Sequence, residues 1–410
     1  MFHTASSQRL FKLEGRGVAA KKYAYINKEM LVWARSKTPF SNPSDIQGEI
    51  KEISPDKLRS WEEGSDLPTI TEAKKLAKAY RVPLACFYLP TPPKTNVPQY
   101  KDRRTISGTS SYETSYQLWS EIRRITDNRE QLLEFVDANT EEIMHLPQLK
   151  KDATIQESAE VLREFLGLNT PFTSKKSYKN NAFGYFRNIL EDHGIMVAQI
   201  YQVELSEMKG LSLYYDLFPI VAVNSKDYER AKVFSLFHEL AHLIRRSSSL
   251  CHMEVEERDD EEEKICDNIA AETLMPGNHF LSLIEEHLKS DGEWSSSHLQ
   301  SIGDTFGVSS VAVLLRLSEL KVVKKQTYHE RYRQLRSEFE ESRKIREQKN
   351  KSSSGYASPH AVYLNKHGYL FPRVILDAYA RGDISYGEMR RTLNIGKKTI
   401  NAIEKTVMTT

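Results

Sequence analysis

The sequence predicts an α+β chain that is mostly helical, with one small antiparallel sheet and a metal-binding helix at its centre, flanked by an N-terminal helical domain and a C-terminal helical module. Three observations carry this expectation. Apolar residues recur at helical spacing through most of the chain, and one window over about residues 195 to 224 is rich in β-branched and aromatic residues. Just beyond that window, the run Phe237-His238-Glu239-Leu240-Ala241-His242 lies in an apolar helical pattern.

At roughly 100 to 200 residues per domain, 410 residues call for two to four domains. A hydrophobic content of 39% with 28% charged residues supplies enough apolar surface for real cores and excludes a wholly disordered chain. Lys plus Arg (58) nearly cancels Asp plus Glu (56), so the total charge of +2 argues for neither a nucleic-acid-binding nor an acidic protein. Cys86, Cys251 and Cys266 are odd in number and form no CxxC pair, which excludes a disulfide framework and a cysteine zinc cluster and fits a reducing cytoplasm. With neither a secretory signal nor a long apolar run, the expectation is a cytoplasmic protein without a membrane partner. No pattern in the sequence speaks to its oligomeric state.

The elements follow in order. Residues 1–25 form a mobile start, and 26–95 a helical domain of INKEMLVWARSK, ISPDKLRSWEEG and TITEAKKLAKAYRVP. Asn27, Ser54 with Pro55 behind it, and Thr69 or Thr71 supply side-chain oxygens for exposed first-turn N–H groups. Proline-rich TPPKTNVP ends this domain, and 96–154 hold a linker and a long connecting helix over 112–137. A mixed α+β domain is expected over 155–325, with two helices, the sheet strands GIMVAQIYQV, GLSLYYD and FPIVAVN, a helix over about 228–246, and further helices from EKICDNIAAETLMP onward. Between them, EVEERDDEEE reads as a solvated acidic loop. A charged helix with a flexible KNKSSSG break occupies 326–354, and a helical module 355–410.

On a helix, residues four apart stack on one face, so His238 and His242 can hold one metal ion while Glu239, one position round, reaches its open side. That is the geometry of a zincin. A third ligand is needed, and LIRRSSSL after His242 offers none. Glu263 supplies it on the next helix, where Asp267 shares its face and can hold a histidine ring from behind; Glu261, Glu262 and Glu272 are its rivals. A zinc ion there would acidify a water molecule whose proton Glu239 moves, the chemistry of peptide hydrolysis. GLSLYYD reads as an ordinary edge strand, or as one that accepts an extended substrate as an added strand. Cys251 with His252 is a weak candidate for an inhibitory metal contact, and Cys266 reads as a small buried residue.

These residues carry a resemblance. FPIVAVN, RAKVFSLFHELAHLI and EKICDNIAAETLMP, with EDHGIMV before and FGVSSVAVLLRLSELKVV after, resemble the ImmA/IrrE family of metallopeptidases over about residues 155–330. The resemblance implies a gluzincin-like site with His238, His242 and Glu263 as ligands of Zn2+ or Mn2+ and Glu239 as the catalytic glutamate. It also implies a site-specific protease whose substrate is a repressor or an antitoxin-like protein.

The N-terminal segments resemble Xre-like helix-turn-helix modules, which implies DNA as a further partner, although Gly48, Lys51 and Glu52 and two prolines depart from that pattern. Lys57 and Arg59, with Arg390, Arg391, Lys397 and Lys398 near the C-terminus, are the candidate contacts to nucleic acid or a protein partner. The alternative reading is a DNA-binding regulator or antitoxin component whose peptidase fold mainly binds a partner.

Overall fold

The computed structural model describes residues 22–93, 101–102, 115–135, 145–150, 152–168, 181–246, 249–251, 261–288, 294–352 and 358–407. Most of the expected mobile start, most of the acidic loop, His252 and the Ser-rich break lie outside the described residues. The chain divides into two compact units, Met1–Thr95 and Asn96–Thr410.

In the first unit, α1 (Lys28–Ser36), α2 (Pro55–Glu63) and α3 (Ile70–Ala79) begin at the expected caps. Asn27 accepts the Glu29 N–H, Ser54 that of Lys57, and Thr69 forms a reciprocal box with Glu72. Gly64, with φ at 78°, ends α2 in a left-handed turn that a side chain would strain. Met30, Leu31, Leu58, Trp61, Leu76 and Phe87 form the core. Between α1 and α2 stands only a 3-10 turn, Pro43–Gly48, where Pro43 leads the turn and the segment is too short for an α-helix.

The second unit is built on one sheet of β1 (Lys101–Asp102), β2 (Met196–Ile200), β3 (Gly210–Leu213), β4 (Ile220–Asn224) and β5 (Ser249–Cys251), in the order β1-β5-β3-β4-β2. The sheet is mixed, correcting the expected antiparallel one. β3 runs antiparallel to both β4 and β5, whereas β2 is parallel to β4 and β1 parallel to β5. The reversal at β3 sends β4 back in the direction of β2, and β4 inserts between them. β3 is therefore an interior strand with both edges paired, so it cannot take a substrate as an added strand, contrary to the sequence expectation.

Alternate side chains of the strands leave the sheet on opposite faces, and helices cover both, which is why the strands are continuously apolar. Val197, Val221 and Val223 join one apolar cluster with α5 (Ile155–Phe165), α6 (Ala182–Asp192), α7 (Glu229–Ile244) and α8 (Glu261–Leu274). That cluster extends through α9 (Gly277–Leu288), α10 (Ser296–Phe306), α11 (Ser310–Glu319) and the first turns of α12 (Lys325–Ser352).

Met196, Ala198, Leu211 and Ile220 join the other cluster with α4 (Tyr116–Leu133) and the terminal helices α13 (Pro359–His367), α14 (Leu370–Arg381), α15 (Tyr386–Leu393) and α16 (Lys397–Val407). The helix expected to connect domains thus lies on the sheet, and the terminal helices complete the sheet's second face. Each fully buried Leu, Ile or Phe contributes about 1.5–3 kcal/mol to this packing.

Glu191 ties the two faces together. Its two oxygens accept the Tyr369 N–H at 2.9 and 3.0 Å, and Gly368 (φ 77°) precedes that contact because a Cβ there would run into the Glu191 carboxylate. Burial pushes the Glu191 carboxyl up to about 7, against the pull of Arg187 and the backbone N–H groups. The folded chain then holds this proton more tightly than the unfolded one does, so stability falls as pH rises from the ordinary value of 4.5 toward 7. Glu191→Gln should remove that dependence, a difference on the order of 3 kcal/mol in denaturant unfolding across the window. Parallel pH profiles for the two proteins would refute it.

Candidate metal centre

The centre is made by two helices, one laid on the sheet and one packed against the first. α7 is buried on nearly all sides from Leu236 to Ile244 because it lies between the sheet and α6 and α8. His238 and His242 stack one turn apart on α7 as expected, with their Nε2 atoms 3.2 Å apart. Glu263, in the first turn of α8, sets one carboxylate oxygen 3.3 Å from His238 Nε2 and the other 3.2 Å from His242 Nε2. Three donors of this kind within 4.8 Å of one another can hold one metal ion. Burial pushes the Glu263 carboxyl up, but the hydrogen bonds and charges of the two histidines outweigh it and hold the group well below the usual carboxylate range.

The surrounding contacts fix these donors. Asp267 Oδ1 lies 2.7 Å from His238 Nδ1, so the ring's second nitrogen is held from behind by the residue one turn after Glu263. His242 is held differently. Its Nδ1 meets Cys266 Sγ at 3.4 Å, a contact that the sequence reading of Cys266 as a mere small buried residue missed. The signal was its position three residues after Glu263, on the helix face turned toward α7.

The rival carboxylates are otherwise engaged. Glu262 makes a bidentate pair with Arg245, at 2.7 Å on each side, and Glu272 pairs with Arg316 and accepts the Gly277 N–H. Glu261 is exposed. A second donor group, His242 with Glu262 and Cys266, also falls within 4.8 Å, but it uses the far nitrogen of His242 and a carboxylate already committed to Arg245.

Glu239 is fully buried beside the two histidines. Its carboxylate lies against the backbone of Gly210, the first residue of β3, where a Cβ would come within 2.9 Å of the Glu239 Cδ. A glycine at the start of a strand often marks such a close approach, and Gly210 is a site residue that the sequence reading did not single out. If cleavage depends on Glu239, Gly210→Ala should retain the bound metal and lower kcat by about 10²-fold, the cost of a displacement near 1 Å. Metal loss, or an unchanged kcat, would show that this contact does not set the glutamate's position.

The basic candidates have their own surroundings. Lys57 pairs with Glu72 at 3.1 Å and Arg59 with Asp56 at 2.7 Å, both within the first unit. Arg390, Arg391, Lys397 and Lys398 are exposed on α15 and α16, whose buried sides face the other side of the sheet. Among the described residues no helix is long and apolar enough to cross a membrane.

In a comparison with known families, residues 190–318 match the peptidase M78 family model, described as the IrrE N-terminal-like domain. This stretch runs from the end of α6 through strands β2 to β5 and both helices of the centre to α11. No curated protein and no solved structure matches the chain.

Proposed function

Because residues 190–318 belong to the ImmA/IrrE family of metallopeptidases, we propose that this chain is a zinc-dependent endopeptidase that cuts a repressor or antitoxin-like protein at one site and so regulates gene expression. The observation that carries this reading is the convergence of His238, His242 and Glu263 beside the buried carboxylate of Glu239. Two imidazoles and one carboxylate suit zinc in a site that keeps a position for water, and manganese is the second candidate.

A divalent ion held there supplies Lewis acidity toward a peptide carbonyl and makes a water molecule more acidic. The protein's own side chains do the rest. Asp267 and Cys266 orient the two rings, and Glu263 completes the donor set. Glu239 takes the proton of the attacking water and delivers it to the departing amine. Arg245, anchored on Glu262, holds the start of α8 against the end of α7 so that the donors stay in register.

The substrate class rests on the family resemblance and on the helical unit attached to the N-terminus. Lys57 and Arg59 already face acidic partners of their own, which favours that unit as a protein-docking element over a reader of DNA. The test is a comparison of new protein N-termini in cells producing either the wild type or Glu239→Gln. One cleavage in a transcriptional repressor or antitoxin, seen only with the wild type, is the expected outcome. Identical sets would refute the reading and favour a partner-binding regulator without turnover.

A further inference from the structure

A cavity of about 600 Å3 shares residues with the surroundings of the metal centre, and its size is within the range of clefts that enclose most of a bound ligand. Its lining includes Asp267, the carboxylate behind His238, and Lys209, which immediately precedes the Gly210 that packs on Glu239. Phe234, one turn before His238 on α7, forms part of the same wall.

The α12 part of the remaining wall comes from beyond the family match. Val311 and Leu315 of α11 face Tyr332, Leu335 and Phe339 of α12 across the cavity, and the Phe339 ring closes on Tyr228 at the start of α7 with centroids 4.1 Å apart. α12 is otherwise highly charged. Its Tyr328, Tyr332 and Leu335 are buried at four- and three-residue spacing, so one apolar stripe seats it against the cavity while the charged face stays in water.

Resting on the peptidase reading above, we propose that α12 is the specificity wall of the substrate cleft, and that the cavity takes a large aliphatic or aromatic side chain flanking the cleaved bond. Of the charged side chains in the lining, Arg230 pairs with Asp304 and Arg336 lies 3.8 Å from Glu340. The aliphatic and aromatic part of the lining, from Phe234, Val311, Leu315, Leu335 and Phe339, is what receives an apolar group, with Lys209, Asp227 and Glu338 as its polar neighbours. A segment that presents such a side chain in extended form is one that its own fold buries, so the preferred target is a locally unfolded stretch of the substrate protein.

The test profiles cleavage by the full-length, metal-loaded protein over a library of peptides from a denatured proteome. Val311→Trp fills the cavity and Phe339→Ala widens it, and neither residue is one of the candidate metal donors. The wild type should prefer a large apolar side chain beside the cut. Val311→Trp should shift that preference toward small side chains by about 10-fold or more in relative kcat/KM, since even one methylene in such a pocket changes selectivity about 10-fold. Phe339→Ala should accept the largest aromatics better.

The same profile for all three proteins would overturn the proposal while leaving the peptidase reading intact. A uniform acceleration in Phe339→Ala without a change in preference would also overturn it, because α12 would then be a lid. No cleavage by the wild type, with none restored by zinc or manganese, would sink the peptidase reading and this proposal together.

Discussion

Replacing Glu239 with Gln should leave one metal ion per chain and lower kcat/KM by about 10²–10⁴-fold, the usual contribution of a positioned proton-transfer group. The substitution keeps the shape that fits against Gly210 and removes only the basicity. With His238, His242 and Glu263 as the proposed donors, metal content measured by elemental analysis should match the wild type. Joint loss of metal and activity would make Glu239 a ligand and overturn its assignment as the base. Equal activity with full metal content would remove it from the chemistry altogether.

Glu263→Ala should abolish stable metal binding. The carboxylate now sits between two Nε2 atoms at 3.3 and 3.2 Å, and its removal leaves two imidazoles in a pocket that no longer offers a negative charge to a dication. Asp267→Ala should be milder, weakening affinity by about 10–100-fold as the His238 ring loses its support. Glu262→Ala should bind metal normally, because that side chain holds Arg245. Competition with a chromogenic chelator at pH 7 measures all three, and normal affinity in Glu263→Ala with loss in Glu262→Ala would transfer the third ligand to Glu262. Protons compete for the same lone pairs, so affinity in the wild type should fall as the pH is lowered.

The contrast among these carboxylates shows how far the sequence could be read. Glu263 and Asp267 were legible together because i and i+4 spacing places them on one helix face, with one at each nitrogen of His238. Strands β2, β3 and β4 were legible because burial on both faces leaves continuous apolar runs. Their neighbours were not. β1 and β5 are only two and three residues long and carry no pattern, and a strand's composition does not encode whether its partner runs parallel or antiparallel. That is why β3 was expected at an edge and is found inside. The amphipathic faces of α13 to α16 were visible as well, but a helix's apolar stripe does not say which surface it covers. Gly210 was silent for a related reason, since the atom it makes room for lies on a helix almost 30 residues later in the chain.

The closure of the sheet's second face sets an order for synthesis. Arg124 on α4 donates to the Lys366 carbonyl at 3.2 Å, and Lys366 pairs with Glu121 at 2.9 Å, across 242 residues in the first of these contacts. All the candidate donors of the metal centre emerge from the ribosome before α13 does, yet on one side of the sheet that carries them only α4 is present as cover until α13 to α16 arrive. A nascent or truncated chain ending near residue 352 would therefore hold the candidate donors above a partly uncovered apolar surface, the kind of intermediate that aggregates or recruits chaperones.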